Sequence, residues 1–341
     1  MATDRRKAKA PTIHDVARVA GVSRGTVSRV LQGGQNVSPA ALEAVKSAIK
    51  KTGYVVNRAA RQMVTGRSGS VAFLLTEPQE KLFHDPNFGV LLRACTAELA
   101  AHDIPLLLMI AGTEDERRRN MRYITAGHVD GVLLISSHHG DPVTAELHAA
   151  GVQLVVCGKP LDQSAKFAHV AADDRDGARE MVRYLYGSGR RRIATVTGPL
   201  DTPGGVDRLA GYREALAEYG LPADDALIAT GDYSRSSGAA AAQQLLERAP
   251  DLDAVFVASD LMAQGVLAVL ERTGRRVPED VAVGGFDDSQ AALESRPALT
   301  TMRQPYDRIS AEMIRLLLAR IDGEDPAAVI LPTELVVRDS A

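Results

Sequence analysis

The 341-residue chain has no tryptophan, and its six phenylalanines and eight tyrosines make up only 4% of it. A ring that falls in a polar loop therefore stands out as a stacking candidate, because so few are available to fill a core. Cysteine is scarcer still, with Cys95 in a predicted helix and Cys157 at a predicted strand end. Two isolated thiols make neither a disulfide framework nor a metal cluster, and both read as reduced core residues. No apolar run reaches the roughly 20 residues that a bilayer crossing needs. The N-terminus is charged and has no apolar leader core, so the chain reads as cytoplasmic, with no membrane partner. Catalytic signatures are missing too: there is no Gly-x-Ser-x-Gly elbow, no P-loop and no metal-ligand spacing. No cofactor is expected. An enzyme reading is left with the paired carboxylates Asp173-Asp174 and Asp287-Asp288, which read as caps and ligand acceptors.

Charge is unevenly spread. The net value of −3 hides 13 Lys and Arg against three acidic residues in positions 1–67, a head of +10 on a body of −13. A basic head suits contact with a phosphate backbone, and an acidic body is kept off it. Residues 1–10 are expected to be a disordered arm.

Positions 12–31 read as two short helices about a tight turn at Gly21, a helix-turn-helix. Thr12 and Asp15 have capping-box spacing, and Ser23 caps the second helix. On that helix Val27 and Val30 point one way, while Arg24, Gly25, Ser28 and Arg29 share an arc of roughly 140° at about 100° per residue. Small and basic outward residues suit entry into a major groove, although an ordinary amphipathic pair has the same periodicity. Ser38-Pro39 opens a third helix with Leu42, Val45 and Ile49 on its buried stripe, and Gly53 ends it.

Asp15-Val16-Ala17, Ala20-Gly21-Val22-Ser23, Thr26-Val27-Ser28-Arg29-Val30, Val37-Ser38, Gly53-Tyr54 and Asn57-Arg58-Ala59-Ala60 make a long ordered pattern. In it the chain resembles the lactose-repressor (LacI/GalR) family of bacterial transcription regulators. Further along, apolar stretches at 71–75, 104–110, 131–135 and 152–157, and again at 192–197, 226–229, 254–258 and 281–286, alternate with helical segments. That alternation argues for two doubly wound α/β subdomains with parallel sheets and a ligand cleft at the strand ends. The resemblance adds a body like a periplasmic sugar-binding protein, with the subdomains exchanging their last elements. It implies a helix-turn-helix domain over 11–56, a hinge helix and linker over 57–68, an N-terminal subdomain of 69–170 and 303–326, and a C-terminal one of 171–302 and 327–341.

The resemblance also assigns residues. Gly198-Pro199, Arg208 and Gly211-Tyr212 look like a family motif whose arginine enters the cleft, and Gly284-Gly285-Phe286-Asp287-Asp288 like a turn whose aspartate accepts ligand hydroxyls. Tyr233 falls where an aromatic stacks on the ligand ring, Ser259 where a polar residue faces the ligand with Asp260 structural, Gln304 at the crossover, and Phe88 at the start of the first body helix. Lys159 is a further candidate for a ligand hydrogen bond. Such a set suits a neutral polyol, and a sugar is the expected effector. Arg29, Arg24 and Gly25 are expected to read bases, with Thr12, Thr26, Ser23, Ser28 and Asn57 on phosphates. In the hinge, which includes Arg58 and Ala60, Met63 matches the residue that wedges into the minor groove.

Function follows as an expectation. A homodimer would bind a palindromic operator in double-stranded DNA and repress sugar-utilisation genes, released by a mono- or oligosaccharide inducer. In the cell it would be nucleoid-associated. A purine- or phosphosugar-dependent corepressed regulator remains open. A dimer is expected over a tetramer, since no leucine heptad follows the body. The 32 Arg against 8 Lys, with Lys81-Leu82-Phe83 and Asp260-Leu261-Met262, resemble actinobacterial regulators of plant-oligosaccharide use.

Overall fold

The computed structural model describes residues 11–31, 36–55, 62, 66–161, 167–222 and 224–341. They fall into two compact units, residues 1–68 and 69–341. The arm at 1–10 and hinge residues Asn57, Arg58, Ala60 and Met63 lie outside the described residues.

The first unit has helices α1 (Ile13–Ala20), α2 (Arg24–Leu31) and α3 (Pro39–Thr52). At the head of α1 the Asp15 carboxylate accepts from both the N–H (3.0 Å) and the hydroxyl (2.8 Å) of Thr12. Gly21 ends α1 at φ 66°, a left-handed conformation that a side chain would strain. Ser23 Oγ accepts the Thr26 N–H at 3.1 Å, and Ser38 Oγ that of Ala41 at 3.3 Å, with Pro39 at the first helical position. Val16, Ala17, Val27, Val45 and Ala48 form the buried centre. A core this small leans on its caps, each worth about 1 kcal/mol.

The second unit holds two six-stranded sheets. The first contains β1 (Val71–Leu75), β2 (Leu106–Ile110), β3 (Gly131–Ile135), β4 (Leu154–Cys157), β5 (Ala168–Ala172) and β11 (Ala328–Leu331). Their order is β11-β5-β4-β3-β1-β2, all parallel. The second contains β6 (Ile193–Thr197), β7 (Ile228–Thr230), β8 (Ala254–Val257), β9 (Ala282–Asp287), β10 (Thr300–Arg303) and β12 (Glu334–Val336). Here the order is β12-β10-β9-β8-β6-β7, parallel except for β12.

Each sheet is covered on both faces, which is why central strands such as β1, β3 and β8 read as unbroken apolar runs. In β1, Val71, Phe73 and Leu75 enter one core and Ala72 and Leu74 the other. Helix α4 (Gln79–His84) leads into α5 (Pro86–Ala100), which buries Leu91, Cys95 and Leu99 against the first of these cores. Past α6 (Glu114–Tyr123), α7 (Val143–Ala149) packs Val143 and Leu147 on the second. In the other half, α8 (Asp174–Gly187) and α9 (Pro203–Glu218) cover one face, α10 (Arg235–Arg248) and α11 (Asp260–Arg272) the opposite one. Each large side chain so buried contributes about 1.5–3 kcal/mol. After α12 (Gln290–Glu294) and β10, α13 (Tyr306–Ile321) returns to the first half, where Ile309, Met313 and Leu317 join its core.

The chain thus passes between halves after Ala172, after Arg303 and after Leu331. The last passage departs from the expected boundary at 326/327: residues 328–331 pair with β5 and belong to the first sheet. Four apolar residues supply a parallel edge, and their periodicity says nothing about which sheet receives them.

Candidate functional site

Helix α2 presents the residues expected to read DNA. Its Val27 is fully buried, which turns Arg24, Gly25 and Arg29 outward, all exposed, with Thr26 and Ser28 half-exposed. The Arg29 Nε donates to the Gly25 carbonyl one turn back at 3.4 Å, laying the guanidinium along its own helix. The hydroxyl of Thr12, a residue expected on phosphate, donates to Asp15 at 2.8 Å.

In the second unit, a cavity opens where the strand ends of the two halves face each other. Phe88, Arg208, Tyr233, Ser259, Asp287 and Gln304 all line it. Lys159 does not: its Nζ is 2.8 Å from Asp207 Oδ2, an ion pair from the loop after β4 to α9.

Arg208, on the second turn of α9, is 6% exposed. Its Nε donates to Asp174 Oδ1 at 2.8 Å and its Nη1 to the Ala258 carbonyl, while Nη1 lies 3.7 Å from Asp287 Oδ1. Burial opposes its charge, but Asp174 and Asp287 hold it above the usual arginine range. Asp287 ends β9 at φ 116°, off the strand path, so its carboxylate turns into the cavity. There Asn87 Nδ2 donates to Oδ2 at 3.0 Å and Gln304 Nε2 to Oδ1 at 2.7 Å. Burial pushes Asp287 up to about 7, against the pull of Arg208 and with the push of Asp85. The neighbouring Asp288 takes Arg303 and Arg338 instead and stays structural.

Tyr233 sits at φ 70°, which carries its ring into the cavity over Gly198. A Cβ at Gly198 would lie 2.1 Å from the ring's Cζ, so the Gly-Pro pair leaves the space that the tyrosine occupies. Ser259 spends its oxygen on the Met262 N–H (3.2 Å) as cap of α11 while lining the cavity. Asp260 is structural as expected: it is fully buried and accepts from Thr301 at 2.6 Å and from the Ser289 N–H at 2.7 Å. Burial, then the Asp287 charge, raises it well above the ordinary carboxylate value.

Sequence reasoning missed several lining residues: Glu77, Lys81, Asn87 and Tyr306, and Asp174, whose partner in the acidic pair, Asp173, caps α8. Asn87 directly precedes Phe88 and Asp174 lay inside a noted pair; Lys81 was noted only within the Lys81-Leu82-Phe83 run, with no ligand role, and Glu77 and Tyr306 carried no signal. Burial pushes the Cys157 thiol, at the cavity wall, up to about 12, and that of Cys95 to about 11, so neither is a nucleophile. Among the described residues no helix is long and apolar enough to cross a membrane.

A helix-turn-helix unit with an exposed basic reading face, in one chain with a two-halved α/β unit around a polar cavity, defines a ligand-responsive DNA-binding regulator. Residues 12–57 match the family model for bacterial regulatory proteins, lacI family, and residues 182–341 that for a periplasmic binding protein-like domain. The chain is 46% identical to the HTH-type transcriptional regulator CelR of Thermobifida fusca, over 97% of this chain and 98% of that one. With Catabolite control protein A of Priestia megaterium it shares 31%, over 96% and 98%. Among solved structures it is similar to a transcriptional regulator CelR–cellobiose complex, at 44% identity, coverage of 97% and 100%, and a TM-score of 0.79. A lac repressor dimer bound to operator and the anti-inducer ONPF gives 25%, 97% and 99%, and 0.82. The chain belongs to the LacI family: it is a DNA-binding transcriptional regulator and not an enzyme.

Proposed function

We propose that the protein is a homodimeric repressor of sugar-utilisation genes, released from a palindromic operator by a neutral β-linked glucose oligosaccharide of the cellobiose type. One observation carries the ligand class: Arg208 is fixed between Asp174 and Asp287 in a cavity that the Tyr233 ring also lines, with Asn87 and Gln304 alongside. Paired carboxylates and amides meet vicinal hydroxyls, and the ring takes an apolar sugar face. The CelR–cellobiose complex among the relatives supports this reading. Anionic effectors fit less well, because the cations among the described lining residues are already engaged by carboxylates, Arg208 by Asp174 and Lys81 by Glu77. That counts against the phosphosugar alternative.

The protein works in the cytoplasm at the nucleoid. Arg24 and Arg29 read bases from α2, the hinge carries Met63 as its minor-groove wedge, and sugar-driven closure of the cavity shifts the DNA-bound population. A thermal-shift screen of mono- and disaccharides, sugar phosphates and purines tests the ligand class. A binder at 100 times its Kd adds about 2.7 kcal/mol. Cellobiose is expected to stabilise the protein and to release operator DNA. Hits confined to purines or phosphosugars would overturn the neutral-sugar reading.

A further inference from the structure

One lip of the cavity is joined across the two halves by a histidine. His138, in the loop after β3, stands between two carboxylates, with Nε2 2.9 Å from Glu77 Oε1 and Nδ1 3.0 Å from Asp201 Oδ2. Glu77 follows β1 in the first half, and Asp201 follows β6 in the second. The His139 N–H donates to the Asp201 carbonyl at 2.7 Å, so a backbone bond crosses the same lip. The two ends are unequal. Glu77 is buried and also accepts from Ser136 (2.7 Å) and Lys81 (3.0 Å), whereas the Asp201 side chain is 54% exposed. A neutral imidazole has one N–H, and satisfying both carboxylates takes the imidazolium with two.

We propose that His138 is the closure residue of the effector site: anchored to Glu77 as an imidazolium, it fastens the second half at Asp201 and holds the cavity shut. This rests on the reading that the effector occupies that cavity. His138 acts by positioning. The groups facing it are Glu77, with Lys81 and Ser136 behind it, Asp201, and its neighbour His139. The bond to Glu77, then that to Asp201, raises His138 to about 9 in spite of burial. A raised value in a cationic group gives a fastening that is complete below the ordinary histidine value of 6.5 and lost as pH rises through about 9. The Lys159–Asp207 pair crosses the cleft as well and remains when His138 is replaced.

Amide hydrogen exchange on the unliganded full chain tests this without any effector. In His138→Ala and Asp201→Ala the segment 136–141 should exchange about tenfold faster than in the unaltered protein, with β1 and β3 unchanged. Equal protection of the His139 amide in all three overturns the proposal. Calorimetry with cellobiose supplies the coupling. Its Kd should rise between pH 6.5 and 9.5 in the unaltered protein, and be weaker with a flatter profile in His138→Gln. Equal affinity and an equal pH profile in the two overturn the coupling. Faster exchange in the variants, with no cellobiose binding by the unaltered protein, supports the fastening and overturns the cellobiose reading alone.

Discussion

The guanidinium of Arg208 lies over the ring of Phe286, 3.8 Å from its centroid. The ring belongs to β9, one residue before Asp287, so a single strand supplies both the surface on which the arginine rests and one of its carboxylates. A planar cation is held by stacking and by the fork to Asp174 together, which fixes its edge toward the cavity.

Replacing Arg208 should therefore cost both fold and ligand. Arg208→Met removes the cation that the buried Asp287 and the half-buried Asp174 share, at a cost of about 3–5 kcal/mol. Arg208→Lys keeps charge but loses the fork and the stacking, so the protein should fold and bind cellobiose at least tenfold more weakly, roughly one lost charged hydrogen bond. Thermal unfolding and titration calorimetry check the two halves. Undiminished cellobiose binding by Arg208→Lys would show that the guanidinium does not touch the sugar.

Gly198 and Tyr233 make a second coupled pair. In Gly198→Ala the methyl and the tyrosine ring cannot share the same space, so Tyr233 must leave. The expected cost is about 1–3 kcal/mol of stability, with a loss of cellobiose affinity. Gly204→Ala is the control, since its Cβ would come no closer than 3.5 Å to Tyr233 Oη. Denaturant unfolding should separate the two variants, and similar stabilities would mean that the ring has another place to go.

The titration of Asp287 gives a stability prediction with a definite sign. Its folded value rises from 3.8 to about 7, so between these pH values the folded chain keeps a proton that the unfolded chain gives up. Stability from this group is greatest at low pH and falls as pH climbs toward 7. Relative to Asp287→Asn, the unaltered protein should lose Tm steadily from pH 4.5 to 7.5. Parallel curves for the two proteins would place the proton elsewhere.

Much of this was legible in the sequence, for reasons that differ by element. The central strands β1, β3, β4 and β8 announce themselves because a parallel strand covered on both faces is apolar at every position. Strands β5, β10, β11 and β12 do not. In β5 (Ala-His-Val-Ala-Ala) small residues hide the run, and β11 and β12 lie at sheet edges with partly exposed side chains. The cavity divides in the same way. Arg208, Asp287 and Tyr233 were found through motifs or rarity, while Glu77 reaches the cavity from the loop after β1 and Lys81 from the six-residue helix α4, neither with a periodicity of its own. Lys159 was misplaced because its partner, Asp207, lies 48 positions away and only the fold brings it near.

The DNA-reading face makes its own test. Arg24 opens α2 with its side chain exposed, and Gly25 beside it has no group to offer a base edge. On the proposed reading, specificity from this end of the helix falls to Arg24, which can make a two-pronged contact with guanine. Arg24→Ala should cost about 1–3 kcal/mol on the preferred operator and relax preference at one base pair per half-site, with other positions unaffected. A Cβ at Gly25 would meet only Ser23 Oγ, at 3.7 Å, so Gly25→Gln should fold and add a new preference at the adjacent pair. Fluorescence anisotropy at fixed salt, over operators varied one symmetric pair at a time, reads both effects. A loss by Arg24→Ala that is the same for every sequence, with a salt slope shallower by about one ion, would put this arginine on a phosphate and leave base reading to Arg29.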